Sequence, residues 1–194
     1  MFKFGIQNFK NILVKKHLLF TLIGAVVLFM WLFMSFAMPN FHKSSQAYTP
    51  LQDSLLTAIE QTGLKEGMYI LGQPNPANMN EKVKWDGDVK KYDGKPWAVI
   101  NYQMSNSFAM GMNMVRGISV CAVISFILFW LMGQMKDNSL KSHILLSLAV
   151  GFISFCFVPY TNFIWFKNPD IMAHLLDGLA PWLILGWVGN KLSA

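Results

Sequence analysis

Arginine is nearly absent from this chain. Arg116 stands alone against fifteen lysines, so the net charge of +6 comes without an arginine-rich surface for reading phosphates or base edges, and nucleic acid is not a partner. Cysteine is as sparse. Cys121 and Cys156 both fall in apolar runs, with no CxxC, no Cys/His metal spacing and no disulfide framework. Both read as small apolar residues. Charged residues make up 13% of the chain, where a soluble protein carries about a quarter. The signatures G-x-S-x-G, H-E-x-x-H and the P-loop are missing. Carboxylates are missing from every apolar run except one.

What is present is apolar and unevenly spread. Hydrophobic residues form 54% of the chain, in long uncharged runs around one charge-rich block, which is the layout of a multi-pass membrane protein. The expected fold class is membrane all-α, with four transmembrane helices and a small α+β extracytoplasmic insertion between the first and second. Residues 1–17 carry four lysines and no acid, interleaved with apolar residues, and read as a cytoplasmic basic amphipathic segment on an anionic leaflet. Residues 18–38 are the first helix. Their apolar run is longer than that of a signal peptide, so a retained helix is expected despite the small Ser35 and Ala37. The second helix is 112–134, the third 143–160 and the fourth 171–190. A cytoplasmic loop (135–142) and an outer loop (161–170) join them.

The insertion, residues 39–111, balances seven lysines with seven acids. Its spacing predicts a helix over 50–64, strands at GMYIL (67–71) and PWAVINYQ (96–103), and turns through 72–80. Asp86 and Asp88, in WDGDVKKYDG, lack the ligand spacing of a calcium loop and read as a solvated loop. Two strands and one helix make a thin core, so the insertion is expected to lean on the membrane helices, a second copy or a partner.

Lysines cluster before the first helix, between the second and third, and after the fourth. The positive-inside rule then puts both termini in the cytoplasm and the insertion outside. In this frame the exceptional carboxylate, Asp177, and the single arginine, Arg116, enter the same leaflet from the same side and reach similar depth, about 6–10 Å in. A charge in hydrocarbon needs a partner. The expectation is a buried Arg116–Asp177 salt bridge between the second and fourth helices, with His174 a turn from Asp177 and Asn113 a turn from Arg116. Such a pair holds helices together first. Its functional reading is a ligand or lipid-headgroup pocket roofed by the insertion, and His174 beside Asp177 adds the option of a proton-coupled step. Ser147, Gly151 and Ser154 make a small-residue face on the third helix. Tyr160, Trp165 and Trp182 are candidate interface aromatics. His42 and His143 fall at opposite membrane ends, so no metal site is drawn from them, and no cofactor is expected. The methionines near the outer face, Met104, Met110, Met112 and Met114, read as packing rather than copper ligands.

The run WLFMSFAMP closing the first helix, GMYIL, PWAVINY, MVRG opening the second helix, the aromatic turn from Asn162 to Phe166, D-x4-W from Asp177 and the G-x4-KL ending resemble a family of small four-pass bacterial inner-membrane proteins of unknown function. The resemblance spans nearly the whole chain. It implies the topology above and no activity, and Arg116, Asp177 and Trp182 fall on positions that match its pattern. The expected role is a non-enzymatic envelope accessory in the bacterial inner membrane. It would bind lipid, an envelope protein or a second copy at the outer leaflet. The alternatives are a small oligomeric transporter or channel subunit, and a lipid-modifying enzyme using His174 and Asp177.

Overall fold

The structure is a computed structural model. It describes residues 2–106 and 109–193, with side chains from Val14 onward. The side chains of the amphipathic segment up to residue 13 therefore lie outside the described residues. The chain forms two compact units, one holding the residues up to Ala47 and from Ala109 on, the other starting at Tyr48.

Among the described residues, the helical unit contains four stretches long and apolar enough to cross a membrane: Val14–Phe36, Met110–Met132, Leu140–Phe166 and Ile171–Ser193. Large apolar side chains point outward along them, Leu22, Val120, Ile153 and Phe157 among them. Ser35, His42, Ser125, His143 and Ser147 are fully buried. A water-soluble bundle sorts its residues the other way. Small and polar groups inside with aliphatics outside is how helices associate in lipid, and the unit reads as a multi-pass membrane protein.

Helix α1 (Phe2–Phe36) runs through the basic beginning into the first span without a break. It packs along α4 (Met110–Met132), where Gly24 comes so close that a Cβ there would sit 2.5 Å from Ser125 Oγ. Phe20 stacks on Phe129 at 4.6 Å in the same seam. The third span is longer than expected and irregular. Helix α5 (Leu140–Phe155) runs into a π-turn at Cys156–Tyr160 and resumes as α6 (Thr161–Phe166). Pro159 causes this. It offers no N–H and crowds the carbonyl four residues back, so the ladder slips by one residue. Thr161 Oγ1 then donates to the Cys156 carbonyl at 3.1 Å. The fourth span is broken into α7 (Ile171–Asp177) and α8 (Ala180–Ser193). Pro181 cannot donate to the Asp177 carbonyl four residues earlier, and the Leu179 N–H bonds Leu176 instead, tightening the turn.

Helix α5 opens on a dense cap. Ser139 accepts from the Ser142 N–H at 3.3 Å, and Asp137 accepts from the Ser139 N–H and from both serine hydroxyls. The bond from Ser142, then those from Ser139, hold the Asp137 carboxyl below its usual value. A depressed folded-state pKa gives stability that is present at neutral pH and lost as the pH falls through that lowered value. Acid titration of the solubilised protein should release the cap only below the ordinary carboxylate range. In Asp137→Asn this acid-range loss of stability should vanish, read from melting temperature against pH.

The second unit carries α2 (Gln52–Gln61), β1 (Gly67–Leu71), α3 (Lys82–Tyr92) and β2 (Ala98–Tyr102). The strands pair antiparallel, Gly67 with Tyr102 and Leu71 with Ala98. The stretch read as a solvated loop is helix α3, which corrects the expectation for Asp86 and Asp88. Asp88 accepts from the Asn75 N–H and the Asn78 side chain, tying α3 to the turn at Pro76–Asn78. Lys90 and Lys91 suit its last turn, and Gly94, at φ +68°, ends it in the left-handed conformation that glycine adopts without strain.

Candidate functional site

The site forms where α1 ends. Trp31 and Ser35 are one turn apart and share a face. Past Phe36 the chain doubles back through Asn40, whose φ of 57° is left-handed, a conformation asparagine tolerates better than most residues. The reversal is fixed by the Phe41 N–H on the Ser35 carbonyl at 2.7 Å and the Asn40 N–H on the Met34 carbonyl at 3.3 Å. It lays His42 over the end of its own helix, its ring stacked on Phe36 at 3.8 Å and 2° from parallel.

Helix α7 supplies the other half. Asp170 precedes its first turn, and His174 and Asp177 follow at spacings of four and three, so all three share a face. His42 lies fully buried between two carboxylates. Its Nδ1 is 2.8 Å from Asp170 Oδ2 and its Nε2 is 2.9 Å from Asp177 Oδ2. Ser45 Oγ donates to Asp170 Oδ2 at 2.7 Å. Trp31 Nε1 and Ser35 Oγ donate to Asp177 Oδ1 at 2.8 and 2.7 Å. His174 Nε2 stands 3.5 Å from Asp170 Oδ2, and its ring meets that of His42 edge-on at 4.5 Å. Burial pushes the Asp170 carboxyl up, but the hydrogen bonds from Ser45 and His42, with His174 near, bring it below the usual carboxylate range. An ionised Asp170 accepts a hydrogen bond from the Nδ1–H of His42, which fixes the ring's orientation.

A cavity of about 330 Å³ opens beside the cluster, between α1 and α4 on one side and α5, the π-turn and the broken fourth span on the other. Trp31, Phe36, Cys121, Phe155 and Trp182 line it, with His174 and Asp177 joining the cluster to its lining. No family model, no curated protein and no solved structure matches this chain. The site is therefore read from its geometry alone.

Of the expected cluster, His174 and Asp177 meet here, and Arg116 and Asn113 do not. Arg116 is exposed, and among the described residues it makes no ion pair. Both Asp177 oxygens are taken by Trp31, Ser35 and His42. Equal depth does not bring two residues together when helix rotation turns one of them outward. Asn113, Arg116 and Val120 fall on one outward stripe of α4, whereas Cys121, Ser125 and Leu128 form its buried stripe. Trp182 is also displaced from its expected place. It is 7% exposed, in the cavity wall, rather than at an interface, whereas Tyr160 and Trp165 are exposed. His143 is buried at the other end of the unit, against the Ser139 carbonyl and Ser193 Oγ.

The sequence reading missed His42, Asp170, Ser35, Ser45 and Trp31. Only the reversal at Asn40 brings the first two together, and no periodicity announces it. As for chemistry, both serine hydroxyls donate to carboxylates rather than to an imidazole, unlike the serine of a hydrolytic triad. The arrangement suits holding a cation or a polar headgroup better than nucleophilic attack.

Proposed function

We propose that this chain is a multi-pass protein of the bacterial inner membrane that binds an amphiphilic lipid, with no chemistry of its own. The lipid's apolar part occupies the cavity, and its headgroup meets His174 and Asp177. The cavity carries this reading. Its volume of about 330 Å³ falls at the small end of ligand pockets. Its walls are mostly aromatic and aliphatic, and His174 and Asp177 bring the polar cluster to its lining. Lysine placement supports cytoplasmic termini, which puts the cluster at the outer leaflet.

The break after Asp177 invites a transport reading, because discontinuous helices build substrate sites in transporters. Against it, residues 180–190 contain no ionisable group to carry a charge onward. Binding accounts for both the break and this apolar remainder.

Native mass spectrometry of protein released gently from its own membrane tests the reading. A co-purifying amphiphile should be retained by wild type. Asp177→Asn should weaken it by about tenfold, the loss expected for one charge-assisted hydrogen bond, and Ser154→Phe, at a position in the cavity lining, should exclude it by taking up cavity volume. A folded wild-type protein with no bound amphiphile, or with the same complement in both variants, would sink the proposal.

A further inference from the structure

The proton arithmetic around His42 is unusual. Asp170, already accepting from the Ser45 hydroxyl, faces Nδ1 at 2.8 Å and, as a carboxylate, accepts a hydrogen bond from an Nδ1–H. In the neutral ring Nε2 then bears a lone pair, and the atom it faces at 2.9 Å is a carboxylate oxygen of Asp177. Two acceptors at that separation repel unless something positive lies between or beside them. A second proton on the ring is one solution. A metal ion bound to both atoms is the other. Imidazole nitrogen and carboxylate oxygen each lie about 2.0–2.2 Å from zinc, and at angles of about 90–109° that leaves them roughly 2.9–3.4 Å apart. The observed spacing is at the short end of this range.

Three further observations favour the ion. The donor atoms of His42, His174 and Asp177 all lie within 4.8 Å of one another. Their surroundings resemble an outer coordination shell. Asp170 orients His42 through Nδ1, as carboxylates orient metal-bound histidines, while Trp31 and Ser35 occupy Asp177 Oδ1 and leave Oδ2 to the ion. Charge is the third. Two carboxylates, Asp170 and Asp177, converge on the two imidazoles, while the chain's one arginine is on an outward face. Asp170, at 6% exposed, keeps Oδ1 without a hydrogen-bond partner among the described residues. A dication would offset both carboxylates, which reduces the cost of holding them together in a buried place.

We propose that His42, His174 and Asp177 form a binding site for a divalent transition-metal ion of the zinc type, with Asp170 as the carboxylate that positions His42. Two imidazoles and one carboxylate are a borderline donor set suited to such ions and ill suited to calcium or magnesium. His174, whose side chain is 26% exposed, closes onto the ion by rotating away from Asp170. Because His174 and Asp177 line the cavity, the open coordination position faces it. The site stands whichever molecule fills that cavity.

Cobalt(II) is the probe. Full-length protein in detergent, with its affinity tag removed, is stripped with a chelator and titrated while the visible d–d absorption is followed. One cobalt per chain is expected, displaced by zinc. His174→Gln, a ligand loss, and Asp170→Asn, an outer-shell loss, should each weaken binding by about 10–100-fold. His17→Gln, distant from the cluster, should bind as wild type does. A monodisperse wild-type protein that takes up no cobalt would overturn the site, as would a folded His174→Gln that binds cobalt with unchanged affinity and spectrum.

Discussion

Gly151→Val should cost the helical unit about 2–4 kcal/mol, enough to unfold much of the solubilised protein at room temperature. A Cβ at position 151 would lie 2.2 Å from the Gly178 carbonyl oxygen and 2.5 Å from the Trp182 ring. The first of these is backbone, so no rotamer change relieves it. Helix α5 would have to move away from the broken fourth span by more than an ångström. Gly178 directly follows Asp177, so the displacement would also draw that carboxylate from Trp31 and Ser35. Gly111→Ala is the matched control. Nothing lies within 4 Å of a Cβ there, and alanine suits a helix better than glycine by about 0.5–1 kcal/mol. Melting by size-exclusion chromatography in detergent should show a large drop for the first substitution and none for the second. Equal melting of the two would mean that α5 and the fourth span do not approach as closely as described.

Most of the helical unit is legible in the sequence because membrane spans announce themselves by length. An apolar run of about 20 residues has few other readings. The details that define the site are less visible. Pro159 and Pro181 each signal a local disturbance, but whether the outcome is a π-turn or a break depends on what packs alongside. In the second unit, GMYIL reads as a strand by itself. Helix α3 does not, because Gly87 and its two flanking aspartates argue for a loop until Asp88 is seen holding Asn75 and Asn78. The pairing of Asp170 with Asp177 and His174 is a matter of helical spacing that the sequence displays, although the loop boundary drawn at residue 170 hid it. His42 is different. It joins them from 128 residues away in sequence from Asp170, through a reversal whose local signs, Pro39 and Asn40, mark a turn without saying where it leads.

Arg116 shows the limit of an argument from depth. Two charges at equal depth on different helices can meet only if both face inward. The buried stripe of α4 is marked by small or polar residues at Cys121 and Ser125, where Gly24 of α1 closes in. Arg116 is five residues before Cys121, well round the helix from it. A search for small residues on both partner helices locates the interface, and thus the interior, before any charge is assigned to it.

With the interior assigned, His42→Ala becomes the most informative loss. Measured with chelator present, so that metal plays no part, it should cost about 3–5 kcal/mol, the range for removing one member of a buried charged pair. The two carboxylates should not suffer equally. Asp177 keeps Trp31 and Ser35. Asp170 keeps only Ser45 as a short hydrogen bond, with His174 at 3.5 Å and its other oxygen unpartnered among the described residues. Neutralising Asp170 should therefore restore more of the loss than neutralising Asp177. In double-mutant cycles by detergent unfolding, His42→Ala with Asp170→Asn should recover the larger share, and His42→Ala with Asp177→Asn the smaller. Strictly additive losses in both cycles would mean that His42 touches neither carboxylate. The reverse order would mean that Asp177 is the charge held at greater cost, and that Trp31 and Ser35 compensate it less than their distances imply.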